Sequence, residues 1–403
     1  MHTPVKVALL ICAMLALPIH AKADTLTKFS EVKHGEISKL SIAGLDFGFS
    51  GLFVIAVRDI EGNLLVQVWA NDETKPRFVE KAGEIKDVAT ASLSGKRFVT
   101  AVRDDADQLR VIAWQASENG RELKRLGTYV GPKISKLAAA SGDSIFGRVF
   151  ITARRSDGRL FVGYFDVAGA SVNPKWSETY DGQVGAVAAS SGMTNTAAMR
   201  DGDGKLRLIH FSSTMIRGGI GAGLDISDAR ISNNDVGTPE WFTFSIDNGP
   251  TGVRAGAGCT QRRLIGHGLG KLIGWKLENG SSEDNFVRTR EKQLTDFGGI
   301  AKKADLVFLK DTARLRLVTA HLGFDNFCRL LPQDQGKPRL QLTIWDTHVR
   351  GDEFVKAAEA HLGGDYTEIG VAMIASSGNQ QRFAVALRGV RGELKVTVWG
   401  VSP

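Results

Sequence analysis

The chain has 403 residues, with 51 lysines and arginines against 44 aspartates and glutamates, and a formal net charge of +7. A surplus this small in a chain this long is weak evidence for nucleic acid, and no run of five or six like charges offers a track for a polyanion. The 8 histidines and 3 cysteines include no HxxxH or CxxC spacing. The sequence therefore predicts no nucleic-acid partner, no metal and no other cofactor.

Residues 1–23 have the pattern of a secretory signal. Lys6 supplies the positive charge, residues 7–17 form an apolar stretch that Pro18 ends, and Ala21 and Ala23 frame a cleavage site. The apolar stretch is too short to cross a bilayer, which needs about 20 residues. We expect a signal peptide over 1–23, no transmembrane segment, and export of residues 24–403 to the periplasm or beyond. A buried first strand is the alternative for residues 1–23.

A short apolar strand that ends in an aromatic residue recurs along the rest of the chain. The aromatic residues are Trp69, Trp114, Phe165, Phe211, Trp275, Trp345 and Trp399. An arginine stands eleven positions before five of them: Arg58, Arg103, Arg154, Arg200 and Arg388. A supersecondary unit repeated every 45–70 residues indicates a stacked or radial repeat architecture.

Each repeat contains the signals of four strands. A segment of small residues comes first, as at 37–44, 85–91, 134–140 and 184–190, with weaker copies at 251–258, 302–309 and 367–375. An apolar strand, a turn with Asp or Gly, an alternating strand and a more polar strand follow. Four-stranded antiparallel units in this number predict an all-β fold, a seven-bladed β-propeller over residues 24–403, with the small residues nearest the axis. A parallel solenoid is the competing geometry.

The last repeat is short of one strand. Residues 367–375, 382–387 and 394–399 supply three strands, and the polar segment 26–32 resembles the missing fourth. We expect this N-terminal strand to pair into the last blade and close it, because that pairing removes an exposed edge.

Three insertions interrupt the regular repeat. They lie at 212–240, 323–338 and 352–366. The last contains Phe354–Leu362, which we expect to form two helical turns. Insertions in repeat proteins are loops, and loops carry function more often than the scaffold does.

The five repeated arginines are expected at one face, where the second strand of each blade ends. A ring of guanidinium groups suits carboxylates, sulfates or sugar hydroxyls. The structural alternative, which we favour, is that each arginine joins adjacent blades by bonding a backbone carbonyl or a neighbouring aspartate. A position repeated in every blade is usually architectural.

The fifth and sixth repeats lack the arginine and offer His267 and His321 near the same edge. Facing the funnel, this pair would suit acid–base chemistry or ligand binding. Packing inside the strands is the simpler interpretation, and no catalytic residue is assigned. Cys259 and Cys328 remain after signal removal and invite a disulfide in an oxidising compartment. We expect Cys259 at the face opposite the arginines, which argues against the bridge.

The phrase Val-Thr-Ala-Val-Arg-Asp…Leu-Arg-Val-Ile-Ala-Trp over 99–114 resembles repeats of exported bacterial seven-bladed β-propeller proteins of unassigned function. The resemblance implies a propeller and export, and it implies no particular ligand.

The leading functional hypothesis is an exported, non-enzymatic binding propeller that presents one face to a glycan or to an envelope or extracellular protein. Several weak equivalent sites would raise avidity. The alternative is a funnel-site enzyme, a lyase or hydrolase acting on an acidic polysaccharide, with the arginines holding the substrate and His267 or His321 as the base.

Overall fold

The computed structural model describes residues 25–45, 50–71, 73–141, 147–180, 182–191, 195–201, 206–213, 224–230, 242–246, 253–262, 267–279, 284–293, 300–309, 316–324, 339–347, 354–377 and 380–402. Over 200–304 the description is limited to the backbone. The predicted signal peptide, residues 1–23, lies outside these ranges.

The described residues form β-strands and no α-helix. In chain order the strands are β1 (Thr25–Gly44), β2 (Leu52–Asp59), β3 (Asn63–Ala70), β4 (Phe78–Ser92), β5 (Arg97–Asp104), β6 (Gln108–Ala116), β7 (Leu123–Ser141), β8 (Arg148–Arg155), β9 (Leu160–Ala168), β10 (Ser171–Tyr180), β11 (Val184–Ser191), β12 (Asn195–Asp201), β13 (Leu206–Ser213) and β14 (Leu224–Arg230). They continue with β15 (Phe242–Ile246), β16 (Val253–Arg262), β17 (His267–Asn279), β18 (Asp284–Gln293), β19 (Ile300–Leu309), β20 (Arg316–Phe324), β21 (Arg339–Thr347), β22 (Phe354–Leu362), β23 (Tyr366–Ser377), β24 (Gln380–Gly389) and β25 (Glu393–Ser402).

The strands pair as four-stranded antiparallel units, and each unit is named here by its second strand. One 13-stranded sheet has the order β10-β9-β8-β7-β6-β5-β4-β3-β2-β1-β25-β24-β23, and it contains the β24, β2, β5 and β8 units. The long strands β1, β4 and β7 each serve as the fourth strand of one unit and continue into the first strand of the next. Three separate four-stranded sheets, β11–β14, β15–β18 and β19–β22, are the β12, β16 and β20 units.

The hydrogen-bonded sheets do not close on themselves, but the first strands touch in sequence. Contacts run from β1 to β4, β7, β11, β15, β19 and β23 in turn, and β23 contacts β1 again. Small residues in β4, β7 and β11 permit that close approach.

The predicted pairing of the N-terminal segment is confirmed. The first half of β1 pairs antiparallel with β25, from Thr25 opposite Ser402 to Glu36 opposite Glu393. The buried Lys395 Nζ donates to Glu31 Oε1 at 2.7 Å and to the Tyr366 hydroxyl at 3.0 Å. This contact joins the N-terminal strand to both β25 and β23.

Alternate side chains of each strand pack against the two neighbouring units. Phe53, Ile55 and Val57 of β2 pack with residues of the β24 unit, whereas Val54 and Ala56 pack with residues of the β5 unit. The core therefore lies between units, as period-2 alternation requires. The repeated aromatic residues belong to it, since Trp69, Trp114, Phe165, Trp345 and Trp399 are all at most 5% exposed.

Two expectations about individual elements are wrong. Phe354–Leu362 is a strand, β22, because its backbone pairs with β21, and that pairing overrides the helix propensity of its alanines. The fifth repeat begins with β15 at 242–246, and residues 253–258 belong to its second strand, β16. Within the described ranges no helix is long and apolar enough to cross a membrane.

Candidate functional site

One edge of the molecule carries the turns between second and third strands, and we call it the turn face. The first strand of the next unit starts beside each turn, since the Ile85 amide donates to Gly62 O and the Ile134 amide to Asp107 O. The Ile37 amide donates to Gly392 O in the same way. Turns and first-strand starts are therefore neighbours at this face.

All five repeated arginines stand one residue before the end of their second strand, as predicted. Three side chains reach the next unit, where the Nε atoms of Arg58, Arg154 and Arg388 donate to the carbonyl oxygens of Ile85, Val184 and Ile37. These bonds match the structural interpretation of the arginines, because they join adjacent units through backbone acceptors.

A hydroxyl in the arginine's own unit fixes the second half of each guanidinium. Arg58 Nη1 donates to Ser38 Oγ and Arg154 Nη1 to Ser135 Oγ, both at 2.8 Å. Arg388 Nη1 donates to Thr367 Oγ1 at 2.9 Å. Each guanidinium is thus held by two groups and is only partly exposed.

Arg103 departs from this pattern because its unit has Lys86 where the units of Arg58, Arg154 and Arg388 have Ser or Thr. Lys86 Nζ and Arg103 Nη1 both bond Asp107 Oδ1, at 2.9 and 3.4 Å. Lys86 thus takes the place of the hydroxyl acceptor, and the Asp107 carboxylate in the turn bonds both cations. Arg200 pairs with Ala186 and Leu206 through the backbone, which is as far as the description of that residue extends.

The turn aspartates have a local structural role. Asp59 Oδ1 accepts from the Asn63 amide and Asp104 Oδ1 from the Gln108 amide, both at 2.7 Å. Side-chain acceptors of this kind stabilise tight turns without a metal.

The histidines occupy different places. His267 opens β17 opposite Arg262, next to the turn of its unit, as expected. We call the second-strand position that the repeated arginines occupy the arginine register. In the β20 unit Leu322 occupies this register. His321 lies one residue earlier, and its side chain is 0% exposed. Full burial of His321 matches the packing interpretation and not the one in which it faces a funnel.

Cys259 lies at the arginine register of its unit, opposite Gly270 in the strand pair β16–β17. The expected position at the opposite face is wrong, because residues 253–262 form the second strand and not the first. Cys328 lies outside the described residues, so the disulfide stays a prediction. The corrected position removes the argument that the two cysteines lie at opposite faces.

A register shift of the β-bulge type recurs in the first strand of six units, one residue before the arginine register. Ser38, Ser135 and Thr367, which hold the arginines, are the extra residues in three of these shifts. The next residue, which we call the post-bulge position, pairs with the arginine or its equivalent. Its occupants are Lys39, Asp87, Lys136, Ala186, Lys303 and Glu368. Bulges often re-aim a side chain beside a functional site.

Charged side chains at the post-bulge position interact across unit boundaries. Lys39 Nζ donates to Glu368 Oε1 at 3.0 Å, and the Leu40 amide donates to Glu368 Oε2 at 3.2 Å. Glu368 is 12% exposed and Lys39 is 43% exposed, while Lys136 is exposed. The result is one carboxylate held in place at the turn face by a lysine and a backbone amide.

Burial raises the pKa of Asp87 above its usual value, and Glu368 adds to that rise. Lys39, Arg103 and the Val88 amide oppose it, but they do not overcome the loss of solvation. Asp87 is thus a carboxyl group that takes up a proton more readily than an exposed aspartate.

Sequence reasoning missed the post-bulge position. The available signal was a charged residue, lysine or an acid, at the third position of segments such as 37–44, 85–91 and 134–140. Strand alternation alone predicts that such a residue simply faces solvent. Among the described residues, no group of three or more His, Cys, Asp or Glu side chains could hold a metal ion.

Comparison with known proteins finds similarity in structure only. No family model matches the sequence, and no curated protein matches it at a significant level. The WD40 domain of coronin from Toxoplasma gondii aligns with a TM-score of 0.57 and 10% identity, covering 95% of this chain and 87% of that one.

An ulvan lyase of polysaccharide lyase family 25, bound to -[GlcA(1-4)Rha3S]-, aligns with a TM-score of 0.50 and 10% identity, covering 90% and 95% of the two chains. The SapL1 lectin in complex with alpha methyl fucoside aligns at 0.43, with 12% identity and coverage of 80% and 96%, a likeness too weak for an argument. At these identities the likeness shows a β-propeller-type fold alone.

Proposed function

We propose that the protein is an exported seven-bladed β-propeller that binds a glycan or an envelope or extracellular protein through its turn face. In this proposal residues 1–23 are removed as a signal peptide and residues 24–403 form the propeller. The sequential contacts of the first strands, returning from β23 to β1, support closure around an axis with the post-bulge positions at its mouth. The pairing of β1 with β25 supports the closing role of the N-terminal strand.

The observation that carries the binding function is variation at a fixed backbone position. At the arginine register the same residue, arginine, recurs wherever the side chain bonds the next unit, as expected for an architectural role. The post-bulge position has the same backbone register in six units and holds Lys, Asp, Ala or Glu. A repeated scaffold that varies one side chain near a common mouth can select a ligand, because it places unlike groups around one centre.

Binding is tested with the mature chain, residues 24–403, on a glycan array and against immobilised candidate envelope proteins. We expect saturable binding that Glu368→Gln and Lys39→Met weaken. Val79→Thr is the matched control, because Val79 is 44% exposed on the fourth strand of the β2 unit. Loss of binding in the control as well, or retention in both test variants, would contradict use of the turn face.

The second candidate is an enzyme acting on an acidic polysaccharide, and Asp87 is the observation that favours it. A carboxyl group with a raised pKa beside Lys39 and Arg103 suits proton transfer. Incubation of the bound glycan, followed by mass spectrometry of the products, separates the two functions. Cleavage that Asp87→Asn abolishes while binding persists would establish the enzyme, and an intact ligand favours the binder.

A further inference from the structure

We propose that the post-bulge residues Lys39, Asp87, Lys136 and Glu368 form a single site for an acidic sugar, a uronic acid unit of a glycan. This inference rests on the proposed binding function and names its ligand class. The four residues lie on the consecutive units β24, β2, β5 and β8, at one register of their first strands. Consecutive strands among β23, β1, β4 and β7 contact one another, so each of the four positions lies on a strand next to that of the following one.

The first requirement is a cation for the sugar carboxylate, and Lys136 meets it. Its side chain is exposed, and within the described part of the chain it has no hydrogen bond or ion pair. Lys39 is already bonded to Glu368. Lys136 is therefore the ammonium group available to a ligand.

The second requirement is acceptors for hydroxyl groups, and Glu368 meets it. Lys39 Nζ and the Leu40 amide hold its two oxygens, which fixes the carboxylate while leaving lone pairs for a ligand. A fixed acceptor loses little entropy when a sugar hydroxyl donates to it.

In unit order Asp87 lies between Glu368 and Lys136. Its protonation state determines how much negative charge on a ligand the site can accept. The charged groups that act on it are Lys39 on β1, Arg103 on β5 and Glu368 on β23, and Lys136 lies on β7, the next first strand. As an anion it repels a second carboxylate, and as a neutral acid it donates a hydrogen bond to one. Burial favours the neutral form, so the site accepts one carboxylate more easily than a polysulfate.

The test is calorimetric titration of residues 24–403 with trisaccharides of galacturonic, glucuronic, mannuronic and guluronic acid, with galactotriose as the neutral counterpart. We expect at least one uronic acid trisaccharide to bind about tenfold more tightly than galactotriose, and Lys136→Met to remove that advantage. Lys124→Met is the matched control, since Lys124 is an exposed lysine in the outer half of the same strand. Equal affinity in the two lysine variants, or for galactotriose, would overturn the site.

The pH dependence provides a second readout. Lowering the pH should tighten uronic acid binding to the native protein over the range in which Asp87 takes up a proton while the sugar carboxylate stays charged, because the pKa of Asp87 is raised. Asp87→Asn should bind with little dependence on pH, and an unchanged dependence would contradict the role of Asp87. If a neutral glycan or a protein binds the turn face and no uronic acid does, this inference fails and the proposed function stands. If nothing binds, both fail.

Discussion

At the scale of single residues, the guanidinium groups hold neighbouring units together. Arg58, Arg154 and Arg388 each donate to a backbone oxygen of the next unit and to a hydroxyl of their own. A buried carbonyl without a donor is costly, and the arginine supplies a charged donor to such an acceptor across the unit boundary. The hydroxyl bond explains why a serine or threonine at the bulge accompanies these three arginines.

Arg154→Met should lower the free energy of unfolding by about 2 kcal/mol, because charge-assisted hydrogen bonds contribute about 1.5–3 kcal/mol. Urea denaturation measures the change. Combining the substitution with Ser135→Ala should cost less than the sum of the two single changes, since both remove the same bond. Arg125→Met is the control, because Arg125 bonds only Thr128 of its own strand on an exposed surface. A loss in the control equal to that at Arg154 would contradict the joining role.

At the scale of strands and turns, packing between units depends on where a side chain is absent. A Cβ added to Gly127 in the fourth strand of the β5 unit would lie 2.6 Å from the Ala170 carbonyl oxygen of the β8 unit. The neighbour is backbone in the turn before β10, so it cannot rotate away as a side chain would. Gly127 is therefore required for the approach of two units.

Gly127→Ala should destabilise the fold by about 1–3 kcal/mol, the usual cost of overpacking. Gly35→Ala in β1 is the matched control, because a Cβ there meets nothing within 4 Å. Thermal unfolding followed by circular dichroism compares the two variants. Equal melting temperatures would show that the β5 and β8 units adjust without strain.

The N-terminal strand is held partly by a carboxylate whose pKa is lowered. Burial alone would raise the pKa of Glu31, but hydrogen bonds from Lys28 and Lys395 outweigh it. The stabilisation is present above the ordinary value of 4.5 and is lost as the pH falls through the lower folded value. The protection factors of β1 amides against hydrogen exchange, which are corrected for the intrinsic pH dependence of exchange, should therefore fall below pH 4.5 in the native protein. In Glu31→Gln the protection factors should already be low at pH 7 and change less on acidification, and a native-like profile would count against this role.

Which elements could be predicted from the sequence depends on how local their signal is. The strands around Trp69, Trp114 and Trp399 were recognisable because alternation and turn residues are encoded locally. Phe354–Leu362 was mistaken for a helix, and residues 251–258 were assigned to a first strand, because pairing partners distant in sequence decide both. The post-bulge residues escaped for the same reason, since a bulge is a property of two strands.

At the scale of the whole molecule, the first strands touch in sequence and β1 belongs to two units at once. Its first half completes the β24 unit and its second half begins the β2 unit. Loss of the first half would expose the edge of β25, a template for pairing with another chain.

A chain that begins at residue 37 should therefore melt at a lower temperature and associate through the open edge of β25. Size-exclusion chromatography with light scattering and a thermal melt measure the two effects. A synthetic peptide of residues 24–36 should restore the monomer, whereas the same peptide with Glu31→Lys should restore it less well because of Lys395. A monomer with native melting in the shortened chain would contradict the closing role of the segment.

The pairing of Thr25 with Ser402 places the two ends of the described chain side by side. A short linker between them would not have to cross the molecule, so the backbone could be rejoined there and reopened at another surface turn. A circular permutant starting at Gly169, in the exposed turn between β9 and β10, should therefore keep its architecture. The order of the strands in the gene would then differ from the native order while their order in space stayed the same.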